Sequence, residues 1–376
     1  MLLTADTVAT GREVLRPGWI ELSGASVTAI GSGDPPGTAR TSLGAVTVVP
    51  GFVDTHVHGG AGFDFSTCDA EGVAAAVGFH RRHGTTTLVA SLVSLGPVEL
   101  ALRVKMLSAL VREGLISGIH LEGPWLSVQR CGAHDPALLR DPDPGELDLL
   151  LSLGGDAIRM ITFAPERPGA TDAIVRVVAS GAVAAIGHTE ATYEQTCAAI
   201  SSGATVATHL FNAMPSIHHR APGPIVALLD DPRVMVELIC DGVHLDPAVY
   251  RHVLHSVGQR RISLITDAMA AAGMPDGGYG IGGLSVDVID RVARVAGTET
   301  IAGSTATMDR VFRYSVTHSG LSEDAALALA VQQTSINTAR ALGLPSPELR
   351  VGAPGNLVVL DAQLGVEAVL HNGSWV

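Results

Sequence analysis

Hydrophobic positions along the chain fall in short unbroken runs, separated by segments with helical spacing, rather than alternating residue by residue. Eight such runs occupy the middle of the sequence: Val48–His58, Thr85–Leu92, Gly118–Glu122, Ala157–Ala164, Val183–His188, Val206–Leu210, Val234–Cys240 and Ile262–Asp267. Between them lie alanine- and leucine-rich stretches such as Glu71–His83, Val98–Arg112, Thr171–Ser180, Tyr193–Ser202 and Pro247–Val257. A strand that is apolar on both faces is covered on both faces, the signature of a parallel sheet wrapped by helices. A doubly wound open sheet is the alternative. Eight βα units in succession favour closure, so the pattern predicts an α/β fold, a (β/α)8 TIM barrel.

The two ends read differently. Gly18–Leu22 and Ala25–Ile30, with the loop Gly31–Gly37 after them, are short strands with turns. Gly355–Leu360 and Gly365–Leu370 return to that texture. Chain ends often lie close together, so residues 1–49 and 352–376 are expected to build one small β-sandwich domain beside a barrel spanning 50–351. Gly277–Gly303, after the eighth run, reads as an inserted hairpin, and helices follow through Leu342.

Composition narrows the function. Hydrophobic residues make up 47% of the 376 and charged residues 16%, enough for a large core. No apolar run approaches the ~20 residues of a membrane helix. The first residues lack a basic, then apolar, leader, so a cytoplasmic location is expected and no membrane partner. A net charge of −13 argues against nucleic acid. It leaves room for a small anion held by a few arginines. Cys68, Cys131, Cys197 and Cys240 show no paired spacing, and Cys131 is read as a bystander thiol.

The chemistry gathers where the strands end. Strand residues i and i+2 face one way, so His56 and His58 present two imidazoles to one point. The third run ends in Glu122, the fifth in His188, the sixth in His209 and the eighth in Asp267, while the seventh leads into Asp241-Gly242-Val243-His244. In a barrel of this kind the C-terminal strand ends form the active site. His56, His58, Glu122, His188, His209 and Asp267 offer nitrogen and oxygen donors without thiolate, a set suited to zinc, with Fe, Mn, Co or Cd as alternatives. Six groups exceed the needs of one tetrahedral ion, so two divalent metals per subunit are expected, with Glu122 between them. Such a cation acidifies bound water to a pKa of about 7 and supplies hydroxide. Asp267 is the candidate proton carrier. The chemistry expected is metal-assisted hydrolysis.

Pro50-Gly51-Phe52-Val53-Asp54-Thr55-His56-Val57-His58, with the later histidines and the strand-8 aspartate, resembles the amidohydrolase superfamily. Many of its binuclear members bridge their metals with a carboxylated lysine. Lys105, the only lysine here, sits in a helical pattern and does not suit that role. His120-Leu121-Glu122-Gly123-Pro124, Gly132-Ala133-His134, Gly187-His188-Thr189, His209-Leu210-Phe211-Asn212-Ala213-Met214-Pro215, Asp241-Gly242-Val243-His244, Thr266-Asp267-Ala268-Met269 and Ile301-Ala302-Gly303-Ser304 resemble the N-acetylglucosamine-6-phosphate deacetylases within that superfamily.

The resemblance implies hydrolysis of N-acetyl-D-glucosamine 6-phosphate to D-glucosamine 6-phosphate and acetate. It implies His134 against the acetyl carbonyl and Asp267 as acid/base. Ala133, Asn212, Ala213, Ile301, Ala302 and Gly303 would meet the substrate, and Arg220 and His244 its phosphate. It also implies a homodimer, with Arg220, His244 or both contributed across the interface. Hydrolysis of a different N-acyl amino sugar or N-acyl amino acid is the alternative. A non-catalytic scaffold barrel is the remote one, since this chain keeps all six candidate ligands.

Overall fold

The computed structural model describes residues 1–37 and 41–376. Eight parallel strands pair in sequence order: strand 1 (Phe52–Val57), 2 (Thr85–Leu92), 3 (Gly118–Glu122), 4 (Ile158–Phe163), 5 (Val183–Ile186), 6 (Val206–Ala207), 7 (Met235–Ile239) and 8 (Ile262–Ile265). The seam between strands 8 and 1 closes just beyond their regular ends. Val57 and Ala268 form a parallel bridge, Asp267 N–H donates to the His56 carbonyl at 2.9 Å, and His58 N–H donates to that of Ala268 at 2.8 Å. A side-chain latch reinforces it: the Thr266 hydroxyl donates to Asp54 Oδ2 at 2.6 Å.

The sequence dictates this locally. Val, Ile and Leu fill the strands and suit a surface buried on both sides. The intervening helices start where a side chain can satisfy orphan amides: Asp69 caps Ala70–Arg82, Asp143 caps Pro144–Gly154 and Asp246 caps Pro247–Val257. Thr192 and Gln195 form a reciprocal capping box on Tyr193–Ser201. The helices Pro144–Gly154 and Gly223–Asp230 complete the units after the third and sixth strands.

Inside the barrel, side chains stack in layers. Val53, Val89, Met160, Ala185, Val206 and Met235, each from a different strand, pack with Ala339, Leu342 and Leu344 into an apolar floor. Two residues further along, the same faces carry Ser91, Thr162, Thr208 and Glu237. His120, on strand 3, joins this polar layer: it bonds Ser91 at 2.9 Å and Thr162 at 2.8 Å, and Thr162 bonds Thr208 at 2.9 Å. The rim lies above.

Strands from both termini form a separate sheet with its own buried cluster, including Leu3, Ile20, Val48 and Leu357. The apolar run expected as a single strand, Val48–His58, is divided. Thr41–Pro50 belongs to the terminal sheet and Phe52–Val57 to the barrel, with Gly51 between them. A Cβ at Gly51 would lie 2.1 Å from the Thr86 hydroxyl, so only glycine lets the chain pass there. The expected inserted hairpin is a three-stranded antiparallel unit, Gly277–Ile281, Leu284–Ile289 and Val292–Val295. No helix among the described residues is long and apolar enough to cross a membrane.

Candidate active site

Three strands, ending at Ile186, Ala207 and Ile265, stop two or three residues short of the expected ends. Beyond them His188, His209 and Asp267 take left-handed backbone conformations, with φ of 47°, 28° and 51°. Such geometry is costly for residues with a Cβ, on the order of 1–3 kcal/mol each, and concentrates where function needs it. Here it turns three side chains away from the barrel wall and into its mouth.

The side chains meet around Glu122. Its Oε1 lies 2.9 Å from His209 Nε2, 3.1 Å from His188 Nε2 and 3.4 Å from His56 Nε2. Its Oε2 lies 3.1 Å from His58 Nε2 and 3.2 Å from His134 Nε2. Asp267 Oδ1 stands 3.2 Å from His58 Nε2 and 3.4 Å from His56 Nε2. All of these residues are buried, none more than 7% exposed. The structure therefore gathers the six residues read as ligands into one cluster, with Glu122 facing both imidazole pairs.

Tautomers follow from the outer ring nitrogens. His188 Nδ1–H donates to the Arg130 carbonyl at 2.8 Å, and His56 Nδ1–H to Glu237 Oε2 at 3.3 Å, which leaves both Nε2 lone pairs facing the cluster. His134 is the opposite case. Its Nδ1 accepts the Ser94 backbone N–H at 3.1 Å, so Nε2 carries the hydrogen and points inward as a donor. His134 shares a ligand-like grouping with Glu122 and His188, but an N–H cannot bind a cation.

Charge is strongly coupled in the cluster. Burial pushes the Glu122 carboxyl up, yet the surrounding imidazoles, His56 first, outweigh it and hold it well below the usual carboxylate range. Burial likewise opposes ionisation of Asp267, but His56 and His58 bring it down to about 2. Burial disfavours charge on His58, and its hydrogen bonds to the Asp267 and Glu122 carboxylates reverse that, raising it to about 9. His134, penalised by burial, falls to about 4 and is neutral near pH 7. Carboxylates that attract protons onto neighbouring imidazoles equally attract a divalent cation, which competes with those protons. The donor set fits such a cation.

The cluster forms the floor of a cavity of about 400 Å³. Ala133, His134, Asn212, Ala213, His244, Ile301 and Gly303, all read from the sequence, line it, as do Val93, Arg130, Ile239 and Ile281. The inserted three-stranded unit supplies one wall. Its tip is tied down by Asp64, whose Oδ2 accepts the Gly282 N–H at 2.8 Å. His244 donates from Nδ1 to Asp241 at 2.8 Å. Burial opposes its charge, but that carboxylate outweighs it and raises the imidazole above its ordinary value, favouring the charged form at the cavity edge. Ala302 is fully buried and does not line the cavity, and Arg220 is exposed outside it, against His219.

A family model described as the amidohydrolase family matches residues 47–376. The chain belongs to the amidohydrolase family. Among curated relatives of this amidohydrolase are the N-acetylglucosamine-6-phosphate deacetylase of Bos taurus, 36% identical over 90% of this chain and 85% of that protein, and the N-acetylgalactosamine-6-phosphate deacetylase of Escherichia coli O157:H7, 35% identical over 90% of each. The solved structure of N-acetyl-D-glucosamine-6-phosphate deacetylase from Mycobacterium smegmatis is 60% identical, covers 100% of both chains and superposes with a TM-score of 0.98. Its D267A mutant, in complex with N-acetyl-D-glucosamine-6-phosphate, is 61% identical with the same score, covering 100% of this chain and 98% of that one.

Four residues of the amidohydrolase site lie outside the set read from the strand ends. Glu237 stands behind His56, Asp54 and Thr266 latch strands 1 and 8, and Ser94 sets the His134 tautomer. Glu237 did leave a signal: a carboxylate inside the apolar run Val234–Cys240, on the same face as Met235.

Proposed function

We infer that the chain removes the acetyl group of N-acetyl-D-glucosamine 6-phosphate, giving D-glucosamine 6-phosphate and acetate. The observation that carries this reading is the Glu122-centred cluster at the floor of a phosphosugar-sized cavity. The similarity to the mycobacterial deacetylase over the whole chain supports it. The catalytic unit is taken as residues 50–351, with 1–49 and 352–376 as the accessory sheet, and the enzyme is assigned to the cytoplasm.

His56, His58, Glu122, His188, His209 and Asp267 would hold two divalent cations, zinc by donor chemistry. When bound, such cations acidify water and polarise a carbonyl. The chain's own residues do the rest. Asp267, ionised at neutral pH, takes the proton of the attacking water and delivers it to the amide nitrogen as the C–N bond breaks. His134 donates its Nε2–H to the acetyl oxygen as charge builds there. Asn212 and Ala213, both lining the cavity, orient the sugar. Ala133, Ile301 and Gly303 bound the sugar, and Ala302 supports them from behind. His244 meets the phosphate, and Arg220 does so from a second copy of the chain, since in its own chain it lies outside the cavity.

That the mycobacterial relative holding its substrate is a D267A mutant supports the role given to Asp267. The test is acetate release from N-acetylglucosamine 6-phosphate, with the unphosphorylated sugar and the 4-epimeric N-acetylgalactosamine 6-phosphate beside it and Asp267→Asn as blank. Release from the phosphorylated glucosamine substrate alone is expected. Equal rates with the unphosphorylated sugar would remove the phosphate contacts from the reading.

A further inference from the structure

Besides Asp54, which latches the seam, Glu237 is a buried barrel carboxylate that the reaction above does not use. Glu237 lies on strand 7, 2% exposed, one step above the apolar floor that its neighbour Met235 helps to form. An isolated buried carboxylate is expensive unless it is paired. Among the described residues its one side-chain partner is His56 Nδ1, at 3.3 Å. The other imidazoles of the cluster are held differently. His188 Nδ1 donates to a backbone carbonyl, and the Nδ1 atoms of His58 and His209 have no hydrogen-bond partner among the described residues. Among the described residues, of the four inward-facing imidazoles one alone has a carboxylate hydrogen-bonded to its outer nitrogen, and it belongs to the strand-1 pair.

We propose that Glu237 is the positioning residue of the His56–His58 cation site: it holds His56 as the Nδ1–H tautomer, aims its Nε2 at the cluster, and thereby sets how tightly that site binds its cation. The proposal rests on the two-cation reading given above. A carboxylate behind a ligating imidazole fixes ring and tautomer and raises the basicity of the inner nitrogen, and its loss commonly weakens binding by roughly 10- to 100-fold. Glu122, His188 and His209, which would hold the other cation, make no hydrogen bond to Glu237 among the described residues, so that site would not depend on it. Glu237 thus tunes occupancy of one site while leaving the other filled.

Purified zinc-loaded enzyme is dialysed against chelators of graded strength, and the zinc per chain is counted for the native protein, Glu237→Ala and Glu237→Gln. Native protein is expected to hold two. Glu237→Ala should lose one cation at a chelator strength roughly 10- to 100-fold lower and keep the second. Glu237→Gln, whose amide oxygen still accepts from Nδ1, should recover part of the difference. Unchanged release in both variants, or simultaneous loss of both cations, would overturn the proposal. A single zinc in the native protein would sink the two-cation reading instead. The role of Glu237 is then read from the His56 tautomer by nitrogen-15 NMR, where a shift away from Nδ1–H in Glu237→Ala upholds it and an unchanged tautomer overturns it.

Discussion

Two histidines 4.7 Å apart between ring centres, His134 and His188, do different work because their outer nitrogens face different partners. A backbone carbonyl makes the His188 Nδ1 a donor and frees Nε2 for a cation. A backbone amide makes the His134 Nδ1 an acceptor and leaves Nε2–H to steady developing negative charge. His134→Ala is therefore expected to lower kcat roughly 100- to 1000-fold, as removal of an oxyanion donor does. Zinc per chain should stay unchanged. Steady-state kinetics and metal analysis of one preparation check both halves, and a lost zinc would make His134 a ligand after all. Both residues were visible in the sequence as histidines near strand ends. The resemblance implied different roles for them, but the tautomers that fit those roles were not legible, because a tautomer depends on a neighbour 40 or 58 positions away.

At the scale of elements, the seam between strands 8 and 1 is where the barrel is least regular and the site most dependent on it. Asp54 accepts the Thr266 hydroxyl, Thr266 accepts the Ala268 N–H at 3.1 Å, and Asp267 sits between them. Burial pushes the Asp54 carboxyl up to about 7 against those hydrogen bonds. Removing the latch with Asp54→Ala leaves a buried hydroxyl without its acceptor, and should cost about 1–3 kcal/mol in urea unfolding. Activity should fall as well, because strands 1 and 8 carry His56 and Asp267. The eight strands themselves were legible as apolar runs. Three of their ends were placed two or three residues too late, because hydropathy continues through Leu210 and beyond while the backbone has already turned left-handed at His209.

For the molecule as a whole, the cluster couples stability to pH and to metal. In metal-free protein His58 is raised from 6.5 to about 9, so its contribution is fully present below pH 6.5 and disappears as pH rises through 9. Asp54, raised from 3.8 to about 7, acts in the same direction between those values. On the acid side His80 and His134, both lowered by burial to about 4, withdraw stability as pH falls from 6.5 towards 4. Chelator-treated protein should accordingly lose Tm between pH 6.5 and 9. Loaded protein should hold its Tm there, since a cation takes the place of the protons. Calorimetry of both forms across that range checks it.

The proposed dimer yields a second test at this scale. If Arg220 serves the partner's cavity, mixing Arg220→Ala with Asp267→Asn chains should recover activity that neither has alone. One site of the mixed dimer then carries both lesions and the other none. No recovery after subunit exchange would return Arg220 to its own surface.

The amino-acid sequence by itself determined the barrel, the pairing of both termini and the residues of the cluster, because those depend on local periodicity and on where polar residues interrupt it. A strand buried on both faces is mostly apolar, and a metal ligand at its end is drawn from His, Asp, Glu or Cys; each is readable without neighbours. Tertiary structure alone decided that Thr41–Pro50 leaves the barrel at Gly51 and that Glu237 stands behind His56. It alone decided that His134 donates and that Arg220 lies outside its own cavity. Each of these depends on a contact between segments far apart in the chain, and hydropathy along one segment carries no information about what packs against it.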